Sequence, residues 1–235
     1  MFYWNKTNFD GLKQISIQYR EDENLKLFAE YCHYRDIGIR KLAFQKIEEF
    51  IKYCESCSIV QQQNISLFLL EVIYQNQEIH SLISDPLKKY LVKMMEIRTN
   101  SQGDSLAYQW LGYLCNNIDM YEKGLELDTS NQVCRKALIN SDFNELDWQT
   151  HHLNESSFIG TVDDALATLE HVYMLSFGLS DPNDKKLFEE KYLYYKGIIS
   201  AWIQYKESNI TVSFYDWCKE NKLKLEPYQT LYYEK

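Results

Sequence analysis

At 235 residues the chain is long enough to bury one large core or two intimate ones. Its 3 prolines and 8 glycines are too few for the turn-dense sandwiches and barrels, and 45% hydrophobic with 25% charged residues excludes a disordered chain. A net charge of −9 opposes a nucleic-acid backbone or an anionic membrane as partner.

The start, MFYWNKTNFDGLKQIS, lacks the basic end and apolar run of a secretory signal. No stretch reaches the ~18 consecutive apolar residues of a membrane span, and the longest apolar run, SLFLLEVIY, is interrupted by Glu71. The expected location is the cytoplasm.

Along the chain, Leu25, Phe28, Ala29 and Cys32 form an i, i+3, i+4, i+7 stripe that predicts a helix over 24–35. Gly38 marks a turn. A second helix runs to about 57 with Ala43, Ile47, Phe50, Ile51 and Cys54 on one face, and a third covers 59–76 with Ile65, Phe68, Leu69, Val72 and Ile73 in register. Ser84-Asp85-Pro86 is a helix start, because Asp caps orphan amides and Pro in the first turn loses no hydrogen bond. That helix reaches about Arg98. The polar stretch Thr99–Asp104 divides the single helical domain, 1–235, into parts 1–99 and 104–235.

Three short helices are expected between 105 and 140, then an irregular polar segment over 141–161. Val162, Ala165, Leu166, Leu169, Val172 and Tyr173 predict an amphipathic helix with these residues on one side. Ser180-Asp181-Pro182 opens the longest helix, to about Glu207. Its apolar residues Leu187, Phe188, Tyr192, Tyr195, Ile198, Ile199 and Trp202 point to burial from more than one side. Ser213 and Asp216 have capping-box-like spacing at the start of a last helix. No segment reads as a strand, so the fold class is all-α.

Two stretches share one set of offsets: Gly38, Ala43, Ile47, Phe50 and Gly160, Ala165, Leu169, Val172. Tyr108, Leu111 and Gly112 add an aromatic and a Leu-Gly pair, and YEKGLELDTSNQ adds Tyr121, Gly124, Leu125 and Asp128. On these residues the chain resembles the tetratricopeptide repeat family, in which small residues let helices approach and large ones fill the next gap. It departs at Cys115, where the pattern has an aromatic, and at Thr129, where Pro is usual. Gly38 and Gly160 are also not a whole number of repeats apart. The resemblance implies stacked antiparallel hairpins with a concave face for a peptide or protein. An irregular α-solenoid or bundle is the alternative.

Chemistry-bearing patterns are few. Cys54-x-x-Cys57 has redox spacing but ends a helix, with no preceding strand, and Cys54 continues an apolar stripe; it reads as structural. Glu30-x-x-His33 has di-iron spacing but no second copy. The densest polar cluster is 147–155, with Asp147, Trp148, His151, His152 and Glu155. If helical, it would align Asp147, His151 and Glu155 on one face for a divalent metal or for acid–base work. Capping and inter-helix hydrogen bonds explain the same residues. No phosphate loop, nucleophile elbow or H-E-x-x-H occurs, and no cofactor or metal is assigned.

The leading expectation is a non-enzymatic protein-interaction module, with a groove lined by some of the 19 tyrosines and rimmed by carboxylates. A narrower form is an acidic helical protein of immunity or antitoxin type that neutralises a basic partner. A second class is an enzyme or metalloprotein using 147–155. A third is homodimerisation through aromatic surface, including Tyr228, Tyr232 and Tyr233.

Overall fold

The computed structural model describes residues 6–101, 103–208 and 210–223. The described residues are 77% helical, and among them are eleven α-helices, one 3₁₀ turn and no strand. The helices are α1 Lys6–Tyr19, α2 Lys26–Asp36, α3 Arg40–Ser56, α4 Ile59–Gln75, α5 Asp85–Ser101, α6 Ser105–Cys115, α7 Ile118–Leu127, α8 Gln132–Thr150, α9 Val162–Ser176, α10 Pro182–Glu207 and α11 Phe214–Glu220. Among the described residues, no helix is long and apolar enough to cross a membrane. Two compact units divide within α7, residues 1–120 and 121–235. The stretch Thr99–Asp104 lies inside the first unit, as the end of α5 and the turn into α6. The tail tyrosines Tyr228, Tyr232 and Tyr233 lie outside the described residues.

In the first unit the stripe of α2 is buried as its spacing demands: Phe28 and Cys32 are sealed, with Leu25 just ahead of the helix. So is that of α3, Ala43, Ile47, Phe50 and Cys54. These helices run antiparallel. Partners on α3 fall in number as those leading into and along α2 rise: Asn24 with Tyr53, Phe28 with Phe50, Glu30 with Lys46. Ser58 and Gln61 close a reciprocal capping box on α4. Phe68 breaks ranks: its stripe partners are buried, but it is half exposed and meets the ring edge of Tyr19.

The sequence pattern missed α1. Its buried face is Asn8, Gly11, Leu12 and Ile15, half of it not apolar. Asn8 Oδ1 accepts from the Ser81 amide at 3.0 Å, and a Cβ on Gly11 would come within 2.5 Å of Ile79. A polar anchor and a close approach hold this helix, and neither registers as hydrophobic period.

In the second unit, Asn131, Thr161, Asp181 and Ser213 cap α8, α9, α10 and α11 with their side-chain oxygens. Pro182 stands at the first helical position of α10, as its sequence signal indicated. The expectation of irregular chain from 141 onward is corrected. α8 continues to Thr150, burying Phe143, Leu146, Gln149 and Thr150. Two of those four are polar, so the apolar period fades while the helix persists. The Thr150 hydroxyl donates to the Leu146 carbonyl at 2.7 Å, and the Gln149 carbonyl accepts from the Ile159 amide at 2.9 Å.

The two repeated-offset segments share the conformation of their glycine and the burial of their alanine. Gly38 and Gly160 have φ of +76° and +79°, a region where glycine carries no Cβ penalty. Each stands two residues ahead of its helix, and Ala43 and Ala165 are fully buried five residues on.

Candidate functional site

Three helices of the second unit, α8, α9 and α10, build a cleft and an adjoining aromatic surface. α8 and α9 are antiparallel: Arg135 reaches Leu175, and Asp142 meets His171 at 2.9 Å. α8 and α10 run parallel in constant register, because Lys136 meets Asp184, Phe143 meets Lys191 and Asp147 meets Tyr195, each 48 residues apart. Each helix turns an i, i+3, i+4, i+7 stripe toward the other. On α8 it is Lys136, Ile139, Asn140 and Phe143; on α10 it is Asp184, Leu187, Phe188 and Lys191. Between them lies an open cleft of about 100 Å³, lined also by Leu179 of the α9–α10 turn.

The cleft has an apolar floor and a charged rim. Ile139, Leu179 and Phe143 are buried in it. Lys136 and Asp184 pair across the mouth at 3.3 Å, and the Lys191 ammonium lies 5.5 Å from the centre of the Phe143 ring. Lys191 has no carboxylate partner among the described residues, so the rim carries a net positive charge. The sequence expectation was a groove rimmed by carboxylates; this cleft presents two lysines and one aspartate.

From the cleft a run of rings crosses to α9. Phe143 meets Phe188 at 5.8 Å, Phe188 stacks on Tyr192 at 5.6 Å, Tyr192 on Tyr173 at 5.5 Å, and Tyr173 meets Phe177 at 4.9 Å. Its outer members are open to water, Phe177 66% exposed and Tyr173 44%, and Leu187 beside the cleft is 55% exposed. Leu166 and Met174 extend the apolar surface along α9. Neither apolar stripe is buried throughout. On α9 only Ala165, Leu169, Val172 and Leu175 go under, leaving Leu166 and Tyr173 out. On α10 Tyr195, Ile198, Ile199 and Trp202 are buried, but Leu187 in the first half is exposed. The apolar stripes are wider than the core that receives them.

The α9–α10 turn is held from α8. Arg135, a buried cation, donates from Nη1 to the Leu175 carbonyl at 2.8 Å and from Nη2 to the Thr129 carbonyl at 2.5 Å. Its charge sits at the C-terminal end of α9, where the helix dipole is negative. Gln132 Nε2 donates to the Gly178 carbonyl and its Oε1 accepts from the Ser180 amide, both at 3.0 Å. This clamp fixes Leu179 between Gly178 and Ser180.

The 147–155 residues do not share one helical face. α8 ends at Thr150, His151 is its C-cap, and Leu153–Glu155 form a 3₁₀ turn ended by Ser156 at φ +59°. The single helical face that would align Asp147, His151 and Glu155 therefore does not form. Asp147 Oδ1 accepts from the Tyr195 hydroxyl at 3.2 Å, which places it at the inner end of the α8–α10 seam. His151 Nδ1 lies 2.5 Å from the Trp148 carbonyl, and His152 Nδ1 lies 3.4 Å from Glu155. The two imidazoles meet at 4.0 Å, and Trp148 is exposed. Among the described residues, no group of three or more His, Cys, Asp or Glu side chains can hold a metal ion.

Other patterns resolve locally. Burial pushes the Cys54 thiol up to about 12, opposite to the lowered pKa of a reactive thiol. Cys57 leans on the Tyr53 carbonyl. Glu30 and Glu49 both bind Lys46, at 2.9 and 2.8 Å, and His33 packs on Tyr34. The Lys46 ammonium, held by Glu49 and then Glu30, titrates above its ordinary range.

No family model matches this chain, and neither the curated proteins nor the solved structures give a match. The sequence signal for the cleft was the repeated stripe on α8 and α10, each with a lysine at one end. Only the register of α8 against α10 sets the two stripes facing one another.

Proposed function

We propose that this protein is a non-enzymatic protein-interaction module that docks a partner polypeptide on the α9–α10 face and the adjoining cleft. The observation that carries this is the run from Phe143 to Phe177, apolar, contiguous and increasingly exposed. Apolar surface kept in water over two helix faces is what recognition surfaces have in common. Tyr173 and Tyr192 suit the role, since a tyrosine offers contact area and a hydroxyl with few rotatable bonds.

The net charge of −9 adds long-range attraction for a basic protein, so an acidic neutraliser of immunity or antitoxin type is a narrower form of the same reading. The stacked-hairpin resemblance points the same way, as a scaffold that holds other molecules. The reading places the protein in the cytoplasm, where its six free thiols stay reduced.

The test is affinity purification from native cells of the wild type beside Tyr173→Ser/Phe177→Ser. A protein recovered in stoichiometric amount with the wild type, and lost with the variant at equal yield and equal helicity, supports the reading. Equal recovery with both rejects it.

A further inference from the structure

Building on that reading, we infer that the α8–α10 cleft is an anchor pocket for one aliphatic side chain carried next to a carboxylate, within an acidic stretch of the partner polypeptide. The volume sets the anchor. About 100 Å³ over Ile139, Phe143 and Leu179 admits a branched aliphatic chain of leucine size.

The rim sets the charge. Lys136 is neutralised by Asp184 at 3.3 Å. Lys191, seated on the opposite end of the same cleft, has a ring beneath it and no carboxylate beside it among the described residues. An ammonium spread over an aromatic face and open to solvent still has donors to give, and a carboxylate arriving with the anchor takes them. A basic anchor would instead meet two lysines and compete for the single Asp184. The local preference is therefore opposite to that of the whole molecule, whose charge is −9. Orientation comes from local charge at the rim, whereas encounter responds to the summed field.

The source is a polypeptide and not a free small acid. The cleft does not end at Leu187. It opens onto Tyr192, Tyr173 and Phe177, a surface that a ligand filling the pocket alone leaves uncovered.

The experiment uses the full chain with labelled methyl groups, titrated with three probes by NMR. The first is a capped hexapeptide with one Leu flanked by Glu, the second is the same peptide with Gln for Glu, and the third is 4-methylpentanoate. Ligands of this size are expected to bind in the millimolar range. The Glu peptide should shift the Ile139, Leu179 and Leu187 methyl signals and bind at least fivefold more tightly than the Gln peptide. Lys191→Met should abolish that difference without changing the thermal midpoint, Lys191 being exposed. Equal binding of the two peptides, or no shift at these methyls, overturns the inference. If 4-methylpentanoate binds as tightly as the Glu peptide, the polypeptide source is overturned. These outcomes do not depend on capture of a protein partner. A captured partner with no Glu preference sinks the anchor alone; a Glu preference with no captured partner sinks the interaction module.

Discussion

Replacing Gly178 with alanine isolates the clamp that shapes the cleft. Gly178 does not have a left-handed φ, so an alanine there meets no backbone strain. It meets Arg135 instead: a Cβ would lie 2.0 Å from Cζ, 2.3 Å from Nη2 and 2.4 Å from Nη1. The guanidinium must leave, and it cannot leave while keeping its bonds to the Leu175 and Thr129 carbonyls. A hydrogen bond to a charged group contributes roughly 1.5–3 kcal/mol. Losing two, with partial recovery of hydration by the displaced cation, gives an expected cost of about 3 kcal/mol. With a urea dependence of roughly 1–3 kcal/mol per molar, the midpoint of the second unit should fall by about 1–3 M. Hydrogen exchange should increase across residues 175–181. In an Arg135→Met background the same alanine should cost less than about 0.5 kcal/mol, since the clash is gone and an alanine tends to stabilise a compatible site. A Gly178→Ala protein within about 0.5 kcal/mol of wild type, or an equal cost in both backgrounds, would refute the reasoning.

Phe50→Ala, at a fully buried ring packed on Phe28, should cost about 3–5 kcal/mol in equilibrium unfolding. Ala43→Leu and Ala165→Leu should each cost about 1–3 kcal/mol by overpacking, and similar values would show that the two Gly-to-Ala offsets do the same work in packing. Burial raises Cys54 and Cys134 from an ordinary 9 to about 12. A group raised on folding contributes its full stability below its unfolded pKa and loses it as pH rises toward the folded value. The thermal midpoint by circular dichroism should accordingly hold steady up to pH 9 and fall beyond it, each thiol removing on the order of 1 kcal/mol per pH step. A flat midpoint to pH 11 would contradict this. In native protein at pH 8, a thiol reagent should label exposed Cys115 first and leave buried Cys32, Cys54 and Cys134 untouched.

The elements legible in the sequence were those whose buried face is apolar throughout or whose start is chemically marked. α2, α3 and α4 are found by stripe, and α10 by Asp181-Pro182. α1 and the end of α8 escaped because Asn8, Gly11, Gln149 and Thr150 sit in their buried faces. Hydrophobic periodicity records what is greasy, and these positions are buried by hydrogen bonding or close approach instead. Stripe width misled in the other direction on α9 and α10, where Leu166, Tyr173 and Leu187 have the right spacing but stay largely exposed.

The site was less legible still. Its two walls are 48 residues apart, with α9 between them, and no local pattern states that α8 and α10 face one another in parallel. The 147–155 cluster shows the converse. Density of polar residues was visible, but its alignment required a helix continuing past His151, and the chain turns there. Of those residues Asp147 alone reaches the seam, through Tyr195.

The most direct measurement is site-resolved photocrosslinking in native cells, with a benzophenone amino acid at position 177 and, as control, at exposed position 41 of α3. The expected result is one discrete heteroprotein adduct from position 177 that is lost when Leu187 is changed to Ser, and none from position 41. No adduct at 177, adducts with equal yield at both positions, or an adduct of the chain with itself alone would contradict docking of a partner on this face.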